Sequence, residues 1–233
     1  MSDETLPQEV DITLSDEGVT GAKPRKKPAP HGELTRADKA FIARVDAVSA
    51  TNPKPELPDD LALDGLVQHG TTIKATRSAD ATAFVARKVA IEKQTKARKE
   101  ARVLLRRAEQ WLSGVFDDGA VGALDFVPPG PGPHDEAQRL NAFLSGLAKH
   151  PDAAKKLPAA LTVKEITGKR VALETAVKAA EAAVKAKVST GAQRATAAKK
   201  TAKLDARLVK FLRGWYGESS ADLLAFGIKP KKG

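Results

Sequence analysis

Apolar residues along this chain recur at spacings of three and four. Phe41, Ile42, Val45 and Val48 share one helical face, as do Leu140, Phe143, Leu144 and Leu147, the pattern of a helix that buries one side. Further on, Thr162 stands as an N-cap with Glu165 three residues later, and Leu161 and Ile166 sit where a hydrophobic staple would place them. From there a seam runs through Leu173, Val177, Ala180 and Val184. Ser189-Thr190-Gly191 then offers a turn and a new cap, and a second seam follows through Ala197, Thr201, Leu204, Leu208, Phe211 and Trp215. Two such seams on either side of a turn predict an antiparallel helical hairpin. Ser219 with Asp222 caps a short closing helix that ends at Gly227. The fold class expected is all-α.

The same pattern occurs twice. Leu57-Pro58 answers Leu157-Pro158, Leu61, Leu63 and Leu66 answer Leu161, Val163 and Ile166, and Trp111-Leu112-Ser113-Gly114-Val115-Phe116 answers Phe211-Leu212-Arg213-Gly214-Trp215-Tyr216, all at an offset of 100 residues. Leu124-Asp125-Phe126 answers Leu224-Ala225-Phe226 at the same offset, while Phe41-Ile42 and Val45 match Phe143-Leu144 and Leu147 at 102. Matched prolines, glycines and aromatics distinguish this from a chance alignment of two alanine-rich helices. The chain is therefore expected to be two tandem copies of a helical-hairpin or bundle unit of roughly 100 residues with short capping helices. Repeat 1 covers 32–127 and repeat 2 covers 134–233, with a basic tail on the second. Pro128-Pro129-Gly130-Pro131-Gly132-Pro133 is the linker, since prolines interrupt any helix there. Residues 1–31, acidic and then basic with few apolar side chains, are expected to form a disordered arm.

Copy one is the poorer match. Its later seam reads Ala97, Ala101, Leu104, Ala108, Trp111 and Val115, but Arg77 and Asp80 occupy the positions of Val177 and Ala180. Either they form a partly buried pair or the helix breaks there, and the break is the favoured reading. Val89-Ala90-Ile91 stands where copy two has its turn and carries no turn signal.

The leading Phe-Ile/Leu helix, the Leu-Pro turn, the alanine-rich hairpin and the ending Trp215-Tyr216-Gly217-Glu218-Ser219-Ser220 through Phe226-Gly227-Ile228-Lys229-Pro230-Lys231-Lys232 resemble an uncharacterised bacterial family of paired helical-hairpin repeats, sometimes found with fibronectin type III domains. The resemblance spans most of residues 34–232 and implies the tandem helical architecture. It brings no activity and no functional residue with it. Copy one departs from it at Phe126-Val127-Pro128-Pro129, where the basic ending is missing.

Composition narrows the chemistry. Aromatics are only 4% of the chain, so the core must be thin, made of Leu, Val, Ile and Ala between closely approaching helices. There is no cysteine, which removes disulfides, thiolate zinc sites and cysteine nucleophiles together. An acidic N-terminus and the lack of any long apolar run make a cytoplasmic protein without membrane insertion the expectation. His31, His69, His134 and His150 are scattered, and His134-Asp135-Glu136 reads as helix-start charge rather than as metal ligands. No phosphate loop, dinucleotide fingerprint or nucleophile elbow occurs, and Gly130-Pro131-Gly132-Pro133 lacks the amide donors a phosphate cradle needs. No catalytic residue, cofactor or small-molecule substrate is assigned, and the expectation is a protein that is not an enzyme.

Charge supplies the one functional hint. Residues 1–31 hold 4 basic and 6 acidic groups, 32–131 hold 15 and 14, and 132–233 hold 20 and 9. Lys178, Lys185, Lys187, Arg194, Lys199, Lys200, Lys203, Arg207 and Lys210 crowd the hairpin of copy two. Such a surface could hold nucleic-acid phosphates without sequence preference, although a solvated outer face on a structural helix is the favoured account. Trp111, Phe211, Trp215 and Tyr216 lie at the ends of seams, where core packing is expected; a peptide groove would use the same side chains. The leading expectation is a scaffold or protein-interaction module that binds another protein or itself. A basic nucleic-acid-associated protein is the alternative.

Overall fold

The computed structural model describes residues 32–115, 130 and 132–231, and these are all-α. Helix α1 (Arg36–Ala50) opens on a capping box. Thr35 Oγ1 accepts from the Asp38 amide at 3.1 Å, and the Asp38 carboxylate accepts from the Thr35 amide at 3.0 Å. A 3-10 turn (Asp59–Leu61) leads into α2 (Leu63–Val115). Pro133 is the first residue of α3 (Pro133–Lys149), where its missing amide costs nothing. Then come α4 (Pro151–Lys156), a 3-10 turn (Ala159–Leu161), α5 (Val163–Tyr216) and a last 3-10 turn (Ala221–Phe226). The arm 1–31, Phe116, Leu124-Asp125-Phe126 and the linker prolines Pro128, Pro129 and Pro131 lie outside the described residues.

Neither long helix is interrupted. The turn expected at Ser189-Thr190-Gly191 is helical, and α2 runs through Val89-Ala90-Ile91 in the same way, so the hairpin within each copy is replaced by one helix of 53 residues and one of 54. A helical glycine costs only about 1 kcal/mol relative to alanine. Thr190 satisfies its hydroxyl by donating to the Lys187 carbonyl at 3.2 Å. Both seams of α5 find their partner on α2 rather than on each other. Each long helix extends about 80 Å at 1.5 Å per residue.

The two helices run antiparallel along their length. His69 meets Thr201, Asp80 meets Lys187 and Arg194, and Glu100 meets Lys169. Ile166, Leu173, Ala180, Lys187, Arg194, Thr201 and Leu208 are spaced by sevens, as are Leu66, Ile73, Asp80, Arg87, Gln94, Ala101 and Ala108. A strict seven-residue repeat drifts by about 20° per heptad around a straight helix, and so favours left-handed winding of the pair.

A separate small core sits at each end, and each draws on both halves of the chain. At one end Phe41, Val45 and Val48 of α1 with Leu66 and Ile73 of α2 pack against Leu208 and Leu212 of α5 and Leu223, Phe226 and Ile228 beyond it. At the other, Ala101, Leu104, Leu105, Ala108 and Leu112 of α2 pack against Leu140, Phe143 and Leu147 of α3 and Ile166, Leu173 and Val177 of α5. Each end is thus a three-helix bundle in which the third member comes from the other segment. Among the described residues the waist between them contains only α2 and α5, and there the seam lapses: Val85, Val89, Val184 and Val188 are exposed.

Arg77 and Asp80 neither pair with each other nor break the helix. Arg77 donates to Asp38 on α1 through Nε at 3.0 Å and Nη2 at 2.6 Å, which ties the α1 cap to α2. Asp80, fully buried, takes Lys187 Nζ at 2.6 Å on one oxygen and Arg194 Nη1 at 2.9 Å on the other. Two cations at heptad core positions of α5 are thereby matched by one carboxylate of α2. The cap of the last turn is Ser220, whose hydroxyl accepts from the Asp222 amide at 3.1 Å, one residue beyond the Ser219 expected.

Removing one partner of a buried ionic cluster costs about 3–5 kcal/mol, because charge is left behind without compensation. Asp80→Ala should lower stability in urea unfolding by that amount, and adding Lys187→Leu and Arg194→Leu should recover most of it. An Asp80→Ala protein as stable as the parent would show that this cluster does not hold the pair together.

Candidate nucleic-acid interface

Of the nine basic residues singled out on α5, the fold sorts six from three. Lys187 and Arg194 turn inward to Asp80, and Arg207 pairs with Asp60. Lys178, Lys185, Lys199, Lys200, Lys203 and Lys210 are exposed, with no ion pair among the described residues. At 3.6 residues per turn these six fall within a sector of about 100°, opposite the face that Leu173, Ala180, Thr201 and Leu208 bury. Residues 182–217 contain nine Lys or Arg and a single carboxylate, Asp205. That carboxylate also faces inward, bound by Arg44, whose Nε donates to the Phe226 carbonyl at 3.1 Å. Glu174 and Glu181 lie on the same side as Lys178 and Lys185, Glu181 being exposed and paired with His134, but between 182 and 217 no carboxylate of α5 stands among the outward lysines.

A groove of about 730 Å³ runs beside this face between α2 and α5. Gln68, Thr72 and Thr76 line one wall and Gln193, Thr196 and Lys200 the other, with no carboxylate among the lining residues. Amide and hydroxyl groups of this kind hydrogen-bond phosphate and sugar as lysines do. Sequence reading missed the groove because its walls come from helices more than 100 positions apart. The only local trace is the polar run Gln68, Thr72, Thr76 at four-residue spacing.

His69 closes the groove floor. It is buried, its Nε2 lies 3.1 Å from Thr201 Oγ1, and its ring meets Phe41 edge-on at 5.7 Å. Thr201 gives its own proton to the Ala197 carbonyl at 2.8 Å, so the imidazole is the donor toward Thr201. Burial, and then the positive charge of Lys200, hold the His69 pKa below the ordinary imidazole value.

The aromatic candidates do not form one cluster. Trp111 is half-buried against the core at the α3 end. Phe211 and Tyr216 pack on the core at the α1 end, Tyr216 against Phe226 at 5.3 Å. Trp215 was expected in the core and is instead 52% exposed. It stacks on Phe211 at 5.9 Å with the rings 28° apart, over a groove of about 560 Å³ that Arg207 and Lys210 also line. The seam spacing misleads here because α5 stops at Tyr216, one residue later, so nothing packs over the indole.

His134 lies 2.9 Å from Glu181, and Asp135 accepts from the Gly132 amide at 2.7 Å, the helix-start role expected of it. Among the described residues no helix is long and apolar enough to cross a membrane. Comparison with protein-family models, curated proteins and solved structures found no match.

The depressed His69 pKa means that the unfolded chain binds this proton more tightly than the folded one. Stability is therefore complete above about pH 6.5, the ordinary histidine value, and declines as pH falls through the window just below it. The melting temperature should drop between about pH 7 and pH 5, less steeply in His69→Gln. Parallel slopes for the two proteins would remove His69 as the cause.

Proposed function

We propose that this chain is a non-enzymatic helical rod that holds nucleic-acid backbone along the outer face of α5. One observation carries the reading: over residues 182–217 the only carboxylate is turned to the core, while Lys185, Lys199, Lys200, Lys203 and Lys210 face solvent in one sector. A merely solvated face is ordinarily of mixed sign, and this one is not. Binding would be independent of sequence and steeply salt-dependent, as phosphate contacts release counterions. The rod is read as two tandem copies, 32–127 and 134–233, joined through 128–133 and acting in the cytoplasm. Supporting the duplication, Leu66 and Ile166, Ile73 and Leu173, Arg77 and Val177, Asp80 and Ala180, Ala101 and Thr201, Ala108 and Leu208, and Leu112 and Leu212 are all buried at the same offset of 100, consistent with the family resemblance.

In a retardation assay, both duplex and single-stranded DNA should shift at about 50 mM salt and lose most binding by about 200 mM. The triple change Lys199→Glu, Lys200→Glu, Lys203→Glu should abolish the shift without altering thermal unfolding. If neither DNA shifted at low salt, the proposal would be overturned.

A second reading, a protein-interaction module that associates with itself, is favoured by the exposed valines of the waist, of which Val188 is 68% exposed. It expects a concentration-dependent dimer in sedimentation velocity that Val188→Asp dissociates. A monomer at every concentration would dispose of self-association.

A further inference from the structure

We infer that the interface takes single-stranded nucleic acid in preference to duplex, with an unpaired base stacked on Trp215. This rests on the proposed reading of α5 and names the form of its ligand. The indole stands at the C-terminal end of α5 beside Lys210, half in water, and adds nothing to the neighbouring core, whereas Phe211 and Tyr216 on either side of it do. Phe211 backs it with a near-parallel ring and is itself packed on that core. The result is a platform two rings deep that need not be ordered on binding. Gly217, at φ +87°, turns the chain away immediately after α5 and leaves the outer ring face uncovered.

The groove over which Trp215 sits, about 560 Å³, is also lined by Pro58 and Leu61 from the other half of the chain. None of its lining residues is a carboxylate, and nearby Asp60 is already held by Arg207. Lys210, without an ion pair, lines the same groove and supplies a cation for the phosphate attached to a stacked base. Lys203, Lys210 and Trp215 extend over about 18 Å of helix axis, so the backbone can pass from the lysines to the platform without leaving α5. In a duplex every base is stacked within the helix and only phosphates could be met. An unpaired base adds a stacking contact that does not depend on its identity. Among the described residues the other end of the rod has no such platform, since Val115 occupies the equivalent position on α2.

Fluorescence tests this in the full chain, with Trp111→Phe to leave one indole. Titrated at about 50 mM salt with a thymidine strand of about 10 nucleotides, within known site sizes, Trp215 should be quenched; a duplex of equal length should leave it unquenched. Trp215→Ala should weaken single-strand binding about 5- to 150-fold, the range for losing one stacked base, leave duplex binding and the melting temperature unchanged, and be partly rescued by Trp215→Phe. Equal affinity for both forms, with no quenching and no effect of Trp215→Ala, would overturn this inference and leave the backbone-binding role of α5 standing. Binding to neither form would overturn both. If Trp215→Ala changed only the sedimentation of the protein with itself, the indole would be a contact between copies and the inference would fail.

Discussion

The antiparallel pairing of α2 with α5 is the constraint on which the rest of the molecule depends. Aligned heptads alone would permit these helices to slide, because alanine and short polar residues occupy much of the seam and a one-heptad slip would lose little contact. Asp80 removes that freedom. It is the buried carboxylate that Lys187 and Arg194 share, and a shift by one heptad would leave it one of its two cations and strand the other cation in the seam. The pairing therefore gains a single register at the waist, where apolar burial is weakest. Once that register is set, α1 and α3 each dock at one place, where Arg77 with Asp38, Arg102 with Glu136 and Glu109 with Arg139 fasten them to α2.

That same register creates the surface of interest. Turning Lys187, Arg194 and Asp205 inward separates buried, paired charge from exposed, unpaired charge along one helix. The outer lysines are left as a row of one sign, and the polar groove containing Gln68, Thr72, Gln193 and Thr196 opens beside them because α2 and α5 meet there through small side chains. Function on this reading comes from geometry that no single segment contains.

Much of the local structure was legible in the sequence. The faces of α1 and α3, the Thr162 cap with its staple, and the recurrence at 100 residues depend on neighbours within a few turns. What could not be read was which strip met which. Ser189-Thr190-Gly191 carries real turn chemistry, yet its cost in a helix is small beside the packing gained on α2. Arg77 and Asp80 looked misplaced only because their partners, Asp38 and the Lys187–Arg194 pair, lie 39 and more than 100 positions away. For the interface, all nine cations read alike in the sequence, as one basic surface. The pairing of Lys187, Arg194 and Arg207 with carboxylates of the first half, the exposure of Trp215 and the groove all required the long-range pairing.

The sharing of each terminal bundle between the two halves has a mechanical corollary. In a string of independent modules, a stretching force opens the weakest one and spares its neighbours. Here any tension that draws α2 and α5 apart along their common axis loads the Phe41 and Phe143 clusters together and in shear, so neither can yield while the other holds. Such an object behaves as a stiff strut with both ends latched, suited to keeping whatever lies along its flank at a fixed extension.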